Sequence, residues 1–183
     1  MTSIISSLAS GAAQTAHAQA SALLAKHPAK PGDKLPLKEP LKENDATKAI
    51  ALAPTGKTLF IGVPGAFTPS CSSQAPAYIE KYEEFKAKGI TEIFIVTVND
   101  SFVTKAWKEK LAPNGTPVRF LADDQALFVS ALGLVFDATP ALGAPRAKRF
   151  VIIADGDTIE RVIVEENPSD VIATAATQVL TLL

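Results

Sequence analysis

The chain has 183 residues, 47% hydrophobic and 20% charged, enough apolar matter for the core of about one domain. Eighteen basic residues against 19 acidic ones leave a net charge of −1, which excludes a nucleic-acid binder working by bulk charge. A single cysteine excludes an intrachain disulfide framework and any multi-cysteine metal site.

The first 25 residues carry no formally charged side chain. Ser, Thr, Gln and His interrupt every apolar run there, whereas a membrane span needs about 18 unbroken apolar residues. A signal peptide needs a basic start and a compact apolar stretch, and both are missing. Residues 1–30 are expected to be an N-terminal extension, helical or frayed, ahead of one domain over residues 31–183. The expected compartment is the cytoplasm, with no membrane partner.

Residues 26–48, with four prolines and six lysines, predict an extended lead-in with a turn at Pro31-Gly32-Asp33. Residues 58–63 predict a short buried strand. Residues 69–88 predict a helix with Tyr78, Ile79, Tyr82 and Phe85 on one face and Gly89 as its stop. A second strand is expected over 91–98, a second helix over 101–111, a strand over 118–121 and a helical stretch near 124–132. Residues 149–153 and 158–164 predict two strands joined by Asp155-Gly156, a strong hairpin signal. Residues 168–182 predict a last helix opened by Pro168. Early alternation implies parallel strands and the late hairpin antiparallel ones. The expected class is α/β, a mixed central sheet with helices on both faces.

Two motifs fail. Gly56-Lys57-Thr58 imitates the end of a phosphate loop, but Ala51 stands where its first glycine belongs. Asp155-Gly156-Asp157 lacks the other ligands of a calcium loop.

Cys71 stands apart from the usual buried, inert cysteine. Thr68 is a good helix N-cap and Pro69 is favoured at the first helical position, which puts Cys71 in the first turn. Unpaired amides and the positive end of the helix dipole favour a thiolate there. Pro76, inside the same helix, removes the bond to the Ser72 carbonyl and leaves the first turn poorly coupled to the rest. A Cys–His peptidase needs an imidazole, and the only histidines are His17 and His27. Dithiol exchange needs Cys-X-X-Cys, and position 74 is Gln. A thiolate attacking an electrophile that needs no protein base remains, and a peroxide fits. Such a site requires a cation and a hydroxyl near the sulfur.

The run Pro64-x-x-x-Thr68-x-x-Cys71 within PGAFTPSCS resembles the peroxiredoxin active-site pattern, in its type II, peroxiredoxin-5-like branch. Supporting stretches are Val98-Asn99-Asp100-Ser101-Phe102-Val103 with Trp107, Phe120-Leu121-Ala122-Asp123, Ala131-Leu132-Gly133-Leu134 and Arg146-Ala147-Lys148-Arg149-Phe150. The resemblance spans about residues 31–182. It implies a thioredoxin-like fold and a thiol peroxidase acting on hydrogen peroxide and organic hydroperoxides, without prosthetic cofactor or metal. By it Cys71 is the nucleophile, the Thr68 hydroxyl binds thiolate and peroxide, and Pro64 shields the intermediate. Arg146 holds the thiolate and polarises the substrate, with Arg149 the competing assignment. No second cysteine exists to resolve the sulfenic acid, so an external thiol must do so: glutathione, glutaredoxin or thioredoxin. A homodimer is expected, anchored by Phe102 and Trp107. The competing reading is a thioredoxin-fold redox-signalling or holdase module whose Cys71 is oxidised without efficient turnover.

Overall fold

The computed structural model describes residues 27–183. The expected N-terminal helix and His17 lie outside the described residues. In chain order the elements are β1 (Leu41–Lys42), β2 (Ala49–Ile50), β3 (Lys57–Val63), α1 (Pro69–Glu80), α2 (Tyr82–Ala87), β4 (Ile90–Thr97), α3 (Ser101–Leu111) and β5 (Arg119–Ala122). Then follow α4 (Leu127–Ala131), β6 (Val135–Phe136), α5 (Thr139–Leu142), β7 (Arg146–Ala147), β8 (Phe150–Asp155), β9 (Thr158–Val164) and α6 (Ala176–Leu180).

The main sheet runs β2-β1-β5-β4-β3-β8-β9. β3, β4 and β5 are mutually parallel neighbours, while β8 and β9 are antiparallel. This is the mixed sheet that the early alternation and the late Asp-Gly hairpin predict. β3 and β4 are buried almost throughout, as expected of parallel strands covered on both faces. Alternate side chains supply two cores. Phe60, Phe94 and Ile152 face one side; Leu59, Ile61 and Val151 face the other, together with Cys71 and Trp107. Gly62 is required where β3 meets β8, because a Cβ there would run into the Phe150 ring.

Three expectations are corrected. The single helix over 69–88 is two, α1 and α2, separated at Lys81, where φ is −93° and ψ 14°. α1 runs on through Pro76, as the single-helix expectation also had it. The predicted helix over 168–182 shrinks to α6, because residues 165–175 give their polar groups to tertiary partners. The Pro168 carbonyl accepts from Arg149, and the Thr174 carbonyl from Gln74 and Tyr78. The Thr174 amide goes to the Glu165 carboxylate. These bonds compete with the helical ladder.

The third correction concerns Trp107. It is fully buried, packs edge-on against Phe120 at 5.4 Å and donates from Nε1 to the Ser72 hydroxyl at 3.2 Å. It belongs to the core and does not reach a subunit surface. Phe102, its expected companion, is 73% exposed. α3 therefore shows one aromatic to the core and the other outward.

Candidate active site

Cys71 sits in the first turn of α1, whose start falls where the local sequence predicts, although no side chain caps its first amides. Thr68 is the N-cap, with extended φ −71° and ψ 151°, and Pro69 follows at the first helical position. Between β3 and this cap, Phe67 takes a left-handed φ of 63°. That conformation costs a non-glycine residue about 1–2 kcal/mol, so the tight loop is held by its surroundings. Asn99, just after β4, supplies part of the hold. Its Oδ1 accepts from the Ala66 amide at 2.9 Å and from the Thr97 hydroxyl at 2.8 Å.

The sulfur has a guanidinium partner. Arg149 Nη2 donates to Cys71 Sγ at 3.4 Å, and Arg149 is only 1% exposed. Three further bonds fix this guanidinium. Nε and Nη2 donate to the Pro168 carbonyl at 2.9 and 2.7 Å, and Nη1 donates to Gln74 Oε1 at 2.6 Å. Arg146, the arginine expected at the sulfur, is placed elsewhere. Its Nη1 donates to the Val98 carbonyl at 2.6 Å and its Nη2 to the Leu142 carbonyl at 3.1 Å, tying α5 to the end of β4. The physical reason is the entry into β8. Arg149 immediately precedes Phe150, and its carbonyl accepts from the Glu165 amide at 3.0 Å, which aims its side chain across the sheet end toward α1. Arg146 sits in β7, paired with Phe136 in a separate two-stranded sheet.

A cleft of about 510 Å³ opens beside these groups. Pro64, Thr68 and Arg149 line it, with Phe136, Leu142 and Pro168 among its apolar walls. Cys71 has no accessible surface; Arg149 faces both the cleft and the sulfur. The Thr68 hydroxyl donates to the Gly65 carbonyl at 2.9 Å. Its hydrogen is therefore committed, and the lone pairs of its oxygen are what it offers to another group. The structure thus brings Pro64, Thr68, Cys71 and Arg149 together, and sets Arg146 against the Gly65 end of the same loop, with its Nη1 on the Val98 carbonyl rather than on the sulfur. Sequence reasoning missed Gln74, three residues after Cys71. The one available signal was helical spacing, which puts both side chains on one side of α1.

Glu165 is nearly buried and lies beyond Gln74. Burial opposes its ionisation, but the Thr174 amide and hydroxyl and the Ile172 and Ala173 amides prevail and hold its carboxyl below the usual range. Among the described residues no group of His, Cys, Asp and Glu is clustered as metal ligands would be. Nor is any described helix long and apolar enough to cross a membrane.

The redoxin family model matches residues 30–180. "Peroxisomal membrane associated protein 20" of Schizosaccharomyces pombe is 41% identical over 153 residues, which covers 83% of this chain and 97% of the relative. "Peroxiredoxin-2C" of Oryza sativa subsp. japonica is 43% identical over 116 residues, 63% of this chain and 71% of the relative. The chain belongs to the redoxin family and is a peroxiredoxin. Among solved structures, reduced Prx3 of Vibrio vulnificus in complex with hydrogen peroxide superposes with a TM-score of 0.75 at 34% identity, covering 84% of this chain and 98% of that one. A peroxiredoxin is a thiol-dependent peroxidase, an oxidoreductase whose sulfur takes oxygen from a peroxide. The chain contains one cysteine, Cys71.

Proposed function

We propose that Cys71 is the nucleophile, that Arg149 is its cationic partner, and that the cleft walled by Pro64 and Thr68 admits hydrogen peroxide or an organic hydroperoxide. The observation that carries this reading is the buried guanidinium 3.4 Å from the lone thiol and open to the cleft. The four bonds of Arg149 leave one N–H, on Nη1, for an incoming oxygen. Thr68, with its hydrogen given to Gly65, accepts from the O–H of the peroxide. Donor and acceptor then bracket the two oxygens, and the charge that develops on the departing one meets a fixed cation.

In the first step the thiolate attacks one oxygen and an S–O bond forms. The O–O bond breaks, and the other oxygen leaves with a proton as water or alcohol. Cys71 becomes a sulfenic acid, oxidised by two electrons. With no resolving cysteine in the chain, an external thiol condenses with the sulfenic acid, releasing water and giving a mixed disulfide. A second thiol then frees Cys71. Glutathione, glutaredoxin and thioredoxin are the candidate reductants. Because Sγ has no accessible surface, we infer that the first turn of α1 yields to let the sulfur meet the peroxide and then these thiols. Phe102, exposed on α3, supports a homodimer contact without Trp107.

The test is rapid mixing of reduced protein with hydrogen peroxide or cumene hydroperoxide, followed by turnover with each reductant. The expected result is fast second-order loss of peroxide that Cys71→Ser abolishes. A rate like that of free cysteine would favour the redox-signalling module instead.

A further inference from the structure

The guanidinium of Arg149 acts on the sulfur only in one orientation, and Gln74 holds its Nη1 edge. A glutamine amide can present either its oxygen or its NH2 group to a neighbour. Only the oxygen can accept from Arg149; with NH2 turned that way, two donors would face each other in a buried site. Something must therefore fix the amide, and it lies in the C-terminal segment that failed to become helix.

Gln74 Nε2 donates to both the carbonyl and the hydroxyl oxygen of Thr174, at 3.0 and 2.9 Å. The carbonyl is shared, because the Tyr78 hydroxyl also donates to it at 2.6 Å. The hydroxyl oxygen is the acceptor that Gln74 does not share with Tyr78. It accepts because its own hydrogen is given to Glu165 Oε1 at 2.8 Å. The same carboxylate oxygen also takes the Ile172 and Thr174 amides at 2.7 and 2.8 Å. An ionised carboxylate has no hydrogen to offer, so the direction of every bond in the row is forced. Thr174 and Gln74 are buried, at 0% and 2% exposure, so no water competes for the amide.

We propose that Thr174, oriented by Glu165, is a positioning residue for peroxide reduction: it sets the Gln74 amide, and through it the Arg149 guanidinium at Cys71. The inference rests on the reading of Cys71 as the peroxide-reducing sulfur. Its sequence position, 103 residues beyond Cys71 in segment 165–175, places a determinant of the reaction far from the active-site loop in the chain.

The experiment measures the second-order rate constant of the reduced protein with hydrogen peroxide. It follows Trp107 fluorescence, since Trp107 bonds to Ser72 beside the sulfur. The proteins are the unaltered chain, Thr174→Val, Thr174→Ser, Gln74→Leu and Gln74→Leu/Thr174→Val. Thr174→Val keeps the shape, removes the unshared acceptor and should slow the reaction about tenfold, the scale of one buried hydrogen bond left unmade. Thr174→Ser keeps the hydroxyl and should stay within about twofold. In the Gln74→Leu background the valine should change the rate by less than about twofold, because the relay is already cut. A purely structural threonine would slow both backgrounds alike, and that result overturns the proposal. So does a Thr174→Val rate equal to that of the unaltered chain while the latter reacts fast. If the unaltered chain itself reacts no faster than free cysteine, the peroxidase reading of Cys71 falls, and the relay falls with it.

Discussion

Replacing Arg149 by lysine separates the two arginines that the sequence offers. Arg149 makes four hydrogen bonds: two to the Pro168 carbonyl, one to Gln74 and one to Sγ. Lysine keeps the charge on a single nitrogen but loses the planar fork, so it cannot hold Pro168, Gln74, sulfur and substrate at once. A hydrogen bond to a charged group is worth about 1.5–3 kcal/mol. Losing the bond to sulfur and the N–H reserved for the peroxide oxygen therefore costs about 3–6 kcal/mol in total. Part of this is common to the resting thiolate and the transition state and does not alter the rate. What remains is about 3 kcal/mol, a slowing of ~10²-fold. Arg146→Lys breaks only bonds to the Val98 and Leu142 carbonyls. It should leave the rate constant within about threefold while lowering stability by about 1–2 kcal/mol. Stopped-flow fluorescence with hydrogen peroxide gives the rates, and urea unfolding gives the stabilities. Equal slowing by Arg146→Lys and Arg149→Lys, or an Arg149→Lys protein that reacts like the unaltered one, overturns the assignment of Arg149 to the sulfur.

Burial pushes Asp123 up from 3.8 to about 6, against the amides of Val129, Phe128 and Leu127 that donate to it. The folded state thus binds more protons than the unfolded chain between these values. The stability Asp123 contributes is full below about pH 4 and lost as pH rises through 6, by up to about 3 kcal/mol. Asp123→Asn should flatten that dependence in urea titrations at about pH 4.5 and 7.5, and an unchanged slope would count against it. Phe102→Ser should leave thermal stability nearly unchanged and turn a dimer into a monomer by light scattering at low micromolar concentration. A monomeric unaltered chain removes the dimer. Oxidation of Cys71 should speed amide exchange in residues 69–75, where Ser70 is held to the Ser169 carbonyl. Exchange as slow as in the reduced protein rules out the unwinding.

The sequence alone carried what is local. Thr68, Pro69 and Cys71 specify where the helix starts, because N-cap and N1 preferences act over three or four residues, although the Thr68 hydroxyl turns to the Gly65 carbonyl and caps no amide of the first turn. The strands of β3, β4 and β9 and the Asp-Gly turn were legible because branched runs and turn residues report short-range backbone preferences. The two-residue strands β1, β2, β6 and β7 were not, since so few residues carry no periodicity. Tertiary structure decided which arginine meets the sulfur. Arg146 and Arg149 lie three residues apart in the same basic run, and only the pairing of β7 with β6 and the entry into β8 send one to the Leu142 and Val98 carbonyls and the other to Cys71. It also put Trp107 in the core and Phe102 outside. It kept residues 165–175 from becoming helix, because Gln74, Tyr78 and Arg149 claim their carbonyls and the Glu165 carboxylate their amides. Those partners stand up to about a hundred residues away along the chain, and no local preference can register a hydrogen bond formed only after the sheet has assembled.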